Sequence, residues 1–447
     1  GELIMPIFTV GAAGTTSSSY EVDNSLRFSE DSGDYLRNPA SGASVAAERK
    51  TLTFSLWVKR AKLGSASSTQ YMICGIESTG NYYSALMFNS TDQLRFFHNE
   101  NGTTRCDLKT NRVFRDTSAW YHIVLAIDTT QGTDSNRVKI YVNGVQETSF
   151  ATETYYSSSF NTYFGMTNGG DGYPTYIGSN ASSDHFDGYM AEVVGVGGSQ
   201  LAASDFAESD SNTGIWKPKD LSDLSYGSGV AGNFLLQFQT SGTLGDDTSG
   251  NNNDFTVTNL TSVDQSTDTP TNNYNVLNFL TKRPTANGTI TNGNLQYEAS
   301  TGDSSVFGTL PIPAGMKVYF EVKLVSNTAQ NALGIFNEYD PGGVFKKGGD
   351  GAGTYSYKVR GAASYTQYFN NGSATTTSIS NYSNDTIIGV AIDNENGQIH
   401  YHANGTYINS SDPTDNDPVA LVTGFGGSTE QYLHFSLDTT TSQPINE

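Results

Sequence analysis

At roughly 150 residues per domain, 447 residues make about three ordinary domains or two large β domains. The 45 acidic against 24 basic side chains leave a formal charge of −21, which excludes a surface built to displace counterions from nucleic-acid phosphates. Aromatic residues at 12% with only 15% charged residues argue for packed sheets rather than disorder, and 47 Gly among many Ser, Thr and Asn supply turns and strand edges. The composition is that of an all-β, extracellular or virion-type chain, and no run reaches the ~18 apolar residues of a membrane span.

Residues 1–19 contain Met5, one candidate for the natural start, and the run MPIFTVGAAGTTSSSY, without the basic and long apolar regions of a secretory leader. This segment reads as an anchoring arm, with Ile7, Phe8 and Val10 as the groups that would pack into a partner. From Tyr20 onward short apolar or alternating runs predict strands at SLRFS, TLTFSLWVKR, YMICGIE, YSALMFN, QLRFFHN, TRCDLKT, WYHIVLAID, RVKIYVNG, TYIGS and YMAEVVGV. Asn143-Gly144 between apolar runs predicts a tight hairpin, because both central residues of a type I′ turn need positive φ. Helix is expected only as a turn within Ala202 to Glu208. After Trp216 a turn-rich stretch surrounds one strong strand, NFLLQFQ.

The polar, Pro-containing stretch SVDQSTDTPTNNYN predicts a domain boundary, so the first sandwich is expected over 20–263, a linker over 264–285 and a second sandwich over 286–447. Strands of the second unit are expected at NLQYEA, KVYFEVKLV, ALGIFNE, YSYKVRG, TQYFNN, DTIIGVAID, QIHYHANG and YLHFSL, with turns at Asn396-Gly397 and Asn404-Gly405. After LHFSLDTTTSQPINE a closing strand is missed, and it is expected from further chain or from a partner. Cys74 and Cys106 are too few for a disulfide scaffold or a thiolate zinc site; one bridge is conceivable, and the expectation is two buried small apolar residues.

The first unit resembles the laminin-G-like, or concanavalin A-like, lectin superfamily. The resemblance rests on Phe54 to Arg60, Trp120 to Asp128, the hairpin Val138 to Val145, Tyr176-Ile177-Gly178, and Phe186 to Val193 as the closing "FxGxxxEV" strand. The second is similar to SPRY-type sandwiches through Tyr319-Phe320-Glu321-Val322, Gly334-Ile335, and Ile388 to Asp393 followed by Gly397, Asn404 and Gly405. The resulting fold class is all-β: two tandem antiparallel β-sandwiches, a concanavalin A-like jelly roll and then a SPRY-like sandwich. The tandem arrangement, with its glycine-rich start and the DDTSGNNNDF and TDTPTNNY connectors, resembles structural proteins of marine tailed phages.

Glycosidases on the concanavalin A-like fold need acid and nucleophile facing one groove, about 5–5.5 Å apart in retaining enzymes. Glu21-Val22-Asp23 is the nearest match and lacks a downstream Glu on its face, so it is expected to be an exposed strand start. With no Gly-x-Ser-x-Gly elbow and no phosphate-binding Gly-rich loop, an enzyme is not expected. Calcium is the one candidate cofactor, at Asp171, Asp184 and Asp187 or at Asp246, Asp247 and Asp254 with Asn251 and Asn252, because oxygen-rich rim loops suit a hard cation. The competing reading is that these Asx residues bond their own turns. His400 and His402 share a strand face but lack a third ligand, and the sequons at Asn101, Asn180, Asn287 and Asn404 are expected by chance in such a chain.

Tyr155, Tyr156, Tyr163, Tyr173 and Tyr176 lie in Tyr-rich segments that suit either stacking on sugar rings or a subunit interface. The expected function is a non-enzymatic adhesin at the virion surface, in a tail fibre or a capsid decoration. Its partners would be other virion proteins, a homo-oligomer and host-surface glycan, with no nucleic acid. The alternatives are a purely structural virion component and a polysaccharide-degrading tail enzyme.

Overall fold

The computed structural model describes residues 20–38, 49–64, 69–76, 82–162, 174–182, 184–227, 233–281, 288–299, 302–325, 330–336, 353–360, 366–377, 382–414, 420–426, 429–439 and 443–446. The arm residues Ile7, Phe8 and Val10, together with Tyr163, Asp171, Tyr173 and Asn287, lie outside them. The chain divides into two compact units between Asn273 and Tyr274.

Among the described residues the first unit holds two eight-stranded antiparallel sheets and a two-stranded one, Ala207–Ser209 with Trp216–Pro218. One runs Val145–Gln146, Val138–Val142, Trp120–Asp128, Thr51–Arg60, Gly188–Gly197, Ser25–Phe28, Gln265–Ser266, with Phe234–Leu236 also pairing on Gly188–Gly197. The other runs Phe150–Thr154, Thr103–Val113, Gln93–Glu100, Tyr82–Phe88, Gln70–Ile76, Thr175–Ile177, Tyr35–Arg37, Thr256–Thr258. Period-two alternation sends Leu52, Phe54, Leu56 and Val58 into the core, where they meet Phe88, Phe96, Leu108 and Ile177 from the other sheet. The expected hairpin is present: Asn143 and Gly144 have φ of 49° and 80°.

The outer face of the first sheet is buried too, which alternation alone does not announce. Thr53, Ser55, Trp57 and Lys59 point away from the core yet are nearly inaccessible, because two later segments cover them. Thr53 donates to the carbonyl of Ser199 and accepts from the Leu201 amide, while Ser55 and the Trp216 indole hold the two ring nitrogens of His122. Lys59 Nζ lies 2.7 Å from Asp268 Oδ2, and the Trp120 indole donates to Asp268 Oδ1 at 3.0 Å. Asp268 belongs to the stretch read as linker, and here the structure corrects the sequence. Residues 264–273 carry a strand, Gln265–Ser266, paired with Ser25–Phe28, and a carboxylate that neutralises a buried ammonium.

Cys74 and Cys106 are free and buried. Cys106 faces the core and Cys74 the opposite face of the same sheet, three strands away, so no bridge spans them. The short helical elements differ slightly from expectation: a 3-10 turn covers Ala203–Asp205, and a four-residue α-helix, Asp134–Arg137, sits in a loop that the sequence did not mark.

The second unit pairs an eight-stranded sheet with a six-stranded one around a core that includes Phe320, Val322, Ile388, Val390, Tyr401 and Leu433. Gln443–Asn446, a strand that the sequence did not mark, pairs with both Gln296–Ala299 and Lys317–Leu324. Asn404 and Gly405 close a hairpin at φ of 48° and 82°.

Candidate functional site

In the first unit a cleft of about 360 Å³ opens over the covered face of the first sheet, toward the small end of the roughly 300–1,000 Å³ usual for small-molecule sites. Five chain segments line it: Tyr20 to Asp23, Glu192, the turn from Asp220 to Tyr226, Leu235 to Gln239, and Thr248-Ser249. Glu192 lies at the centre of the chemistry. The pairing of Gly188–Gly197 with Thr51–Arg60 slips between Ala191 and Val194, so one residue is extra. Met190 and Val193 stay in the core while Ala191 and Val194 join the outer apolar layers, and Glu192 takes the strained position at φ 44°. A left-handed backbone on a non-glycine residue costs about 1–2 kcal/mol, and such strain concentrates at functional sites.

The hydrogen bonds around Glu192 run in one direction. Thr248 Oγ1 donates to Gln237 Oε1 at 2.9 Å, Gln237 Nε2 donates to the Tyr20 hydroxyl at 3.1 Å, and that hydroxyl donates to Glu192 Oε1. Glu192 Oε2 ends the chain buried and without a hydrogen-bond partner among the described residues, in a residue only 2% exposed. Burial pushes the Glu192 carboxyl up to about 7; the Asp220 charge adds to the rise, and Tyr20 and Gln237 oppose it. Burial and the Glu192 charge also push the Tyr20 phenol well above its ordinary value. Asp220 is held low by the Ser222 amide, 2.9 Å from Oδ1. Glu21 and Asp23 stand exposed on the cleft wall, with Val22 between them buried and bonded through its amide to Thr271 Oγ1 at 3.0 Å. The carboxylate missing beside Glu21 and Asp23 in the sequence is therefore brought to the same cleft from a strand some 170 residues later.

The other expected site residues are placed as follows. Tyr156 is a core residue, 1% exposed, its hydroxyl 2.7 Å from His98 Nδ1, which corrects its reading as a surface aromatic. Tyr155 is half-buried and donates to Glu153, and Tyr176 packs on Tyr35 at 5.6 Å with the Arg37 guanidinium 5.9 Å from its ring. None of these lines the Glu192 cleft. In the Asp246 to Asp254 loop, Asp247 accepts the amides of Leu235, Ser249 and Asn253, Asp254 accepts the amide of Asp247, and Asp246 accepts the Thr243 hydroxyl. These carboxylates thus tie their own turn, as Asx residues do.

Asp184 accepts from Asn180 at 3.1 Å. Asp187 is buried, and burial pushes its carboxyl to about 7; Glu30 and Asp31 reinforce this and Lys62 opposes it. Among the described residues no three His, Cys, Asp or Glu side chains stand close enough to hold a metal ion.

In the second unit, His400 Nδ1 lies 2.8 Å from the Ser411 carbonyl oxygen, and the His402 ring joins a separate network. The Gly405 amide donates to His402 Nδ1, leaving Nε2, 2.6 Å from the Tyr319 hydroxyl, to donate; Tyr319 in turn donates to Glu321 at 2.5 Å. No helix among the described residues is long and apolar enough to cross a membrane.

Residues 29–195 match the sequence profile Laminin_G_3, described as the concanavalin A-like lectin/glucanases superfamily. The matched span contains Glu192 and most of both sheets. No curated protein matches the chain. Among solved structures, the chain is similar to domains LG4-5 of the mouse laminin alpha1 chain, at 10% identity and TM-score 0.32 over 94% of this chain and 84% of that one. The SPRY domain of human HERC1 matches at 14% identity and TM-score 0.29, over 38% of this chain and 95% of that one. Domain 4 of AbnA, an extracellular arabinanase from Geobacillus stearothermophilus solved with arabinotriose, matches at 15% identity and TM-score 0.28, over 44% and 82%. At these scores none of the three bears on function.

Proposed function

We propose that the protein binds carbohydrate without cleaving it, with the saccharide seated in the Glu192 cleft. We further propose that it acts on the outside of a phage particle, as a tail-fibre or capsid-decoration adhesin. The observation that carries the binding site is the buried Glu192 oxygen left without a donor at the end of an ordered hydrogen-bond chain. A buried acceptor in that state costs about 1–3 kcal/mol, and a ligand hydroxyl or amine that reaches it recovers much of that cost. Tyr20, Leu224, Tyr226 and Leu235 offer apolar surface beside the polar groups, the mixture on which sugar rings pack. The match of residues 29–195 to a lectin and glucanase superfamily supports the ligand class. The virion setting rests on the resemblance of the tandem sandwiches to tailed-phage structural proteins and on an acidic surface that avoids nucleic acid. Many copies on one particle would turn weak single contacts into firm adhesion.

A glycan array probed with the whole chain and with Ser222→Trp tests the site, because Ser222 is an exposed lining residue where an indole would obstruct the mouth. Glycans bound by the parent protein should lose about tenfold or more in affinity, the value of one charge-assisted hydrogen bond. Unchanged binding would move the site away from Glu192. Incubation with the bound polymer should release no new reducing ends; their appearance would replace the binding role by a hydrolytic one.

A further inference from the structure

Resting on the carbohydrate reading of this cleft, we infer that it selects a saccharide carrying a free amino group. Among the described residues that line the space four are acidic, Glu21, Asp23, Glu192 and Asp220, and none is Lys, Arg or His. The phenol of Tyr20 and the amide of Gln237 already donate within the site, the first to Glu192 and the second to Tyr20. The residues that line the cleft thus offer chiefly acceptors: the Glu192 carboxyl, whose Oε2 is buried without a hydrogen-bond partner among the described residues, and the exposed residues Glu21, Asp23 and Asp220. An ammonium group donates three hydrogen bonds and carries the complementary charge, whereas a neutral hydroxyl offers one donor and no charge. An N-acetyl group at the same carbon brings one N–H together with a carbonyl oxygen, which would face carboxylates and remain unpaired. A concave wall lined by one sign of charge also concentrates cations at its mouth.

Tyr20, Gln237, Asp220 and Tyr226 act on Glu192 directly, and Glu21 and Asp23 from the leading segment line the same cleft. None of them supplies a compensating positive charge. Because burial holds the Glu192 carboxyl near 7, an ammonium that binds its charged form displaces a proton, so affinity should climb as pH rises from 5 toward 7.

Calorimetric titration of the whole chain with three disaccharides of one β-1,4-linked skeleton tests this: the glucosamine disaccharide, its di-N-acetylated form, and cellobiose. The glucosamine form should bind about tenfold or more tighter than the other two, as expected for one added charged hydrogen bond. Asp220→Asn, at an exposed position of the cleft wall, should shrink that gap by weakening the glucosamine form more than cellobiose, and Asp23→Asn provides a second exposed variant. Tighter or equal binding of cellobiose or the acetylated sugar overturns the amino-sugar inference and leaves the carbohydrate site standing. Binding of 1,4-diaminobutane as tight as that of the glucosamine disaccharide overturns it as well, since the sugar would then contribute nothing. Absence of binding by all three disaccharides removes the inference and the cleft's carbohydrate reading together.

Discussion

Each unit buries ionisable side chains on the outer face of a sheet, and the two clusters end differently. In the second unit the His402, Tyr319 and Glu321 network closes on itself: Gly405 satisfies one ring nitrogen, Tyr319 the other, and the final acceptor is a partly exposed carboxylate. In the first unit the Thr248, Gln237, Tyr20 and Glu192 chain ends on a buried oxygen without a hydrogen-bond partner among the described residues, at a backbone bulge and in a residue that lines a cleft. A completed network rigidifies a fold, whereas one left a donor short carries a cost that a ligand can remove. The same residue types thus serve structure in one place and recognition in the other, and satisfaction rather than composition separates the two.

The largest expected effect comes from the covering layer on which the cleft is built. Asp268→Ala takes the counter-charge from the buried Lys59 ammonium and leaves it the neutral Asn273 Oδ1 at 2.8 Å, which costs about 3–5 kcal/mol. Trp57, Trp120 and Trp216 all lie in the first unit, so denaturation followed by Trp fluorescence reads that unit alone. A loss below about 1 kcal/mol would mean that residues 264–273 are not an integral part of it.

Next is the pH dependence of the same transition. Glu192 and Asp187 keep their protons in the folded chain up to about 7, whereas the unfolded chain releases them near the ordinary carboxylate values. Between those limits the folded state binds more protons, so stability falls as pH rises from about 5 to 7 and levels off above that. The slope per group approaches about 1.4 kcal/mol per pH unit, and Glu192→Gln should remove the share due to Glu192. A slope unchanged by that substitution would place the Glu192 carboxyl in an ordinary environment.

Tyr319→Phe probes the closed network by taking away the acceptor of His402 and one donor to Glu321. It should cost about 1–3 kcal/mol, read as faster amide exchange along Gln398–Ala403, with saccharide binding untouched. A change in binding would break the distinction between the two clusters. Asp254→Ala frees the Asp247 amide and should cost the first unit only about 1 kcal/mol.

The sheets were legible in the sequence because alternation and Asn-Gly turns are local: the runs from Thr51 to Arg60 and from Ile387 to Asp393 fall where period two puts them. The covering layer was not, since Ser55, Lys59 and His122 read as solvent-facing residues until segments far along the chain supply their partners. The same holds for the site. Glu21-Val22-Asp23 reads in the sequence as an exposed strand start without a downstream Glu on its face, while the carboxylate that joins it in the cleft is the one charge in the apolar run YMAEVVGV. What hid its role is that a bulge, invisible to sequence periodicity, turns Glu192 out of the strand register. Tyr156 erred the other way, because its pattern does not distinguish a surface aromatic from one packed beside His98 and Phe160.

The most direct test of the central claim is a crystal structure of the whole chain with an array-selected saccharide bound. The sugar is expected in the cleft between Tyr20, Asp220 and Tyr226, with one of its donors on the Glu192 carboxyl. A sugar bound elsewhere, for instance over Tyr176, with Glu192 Oε2 still unpartnered, would contradict that claim.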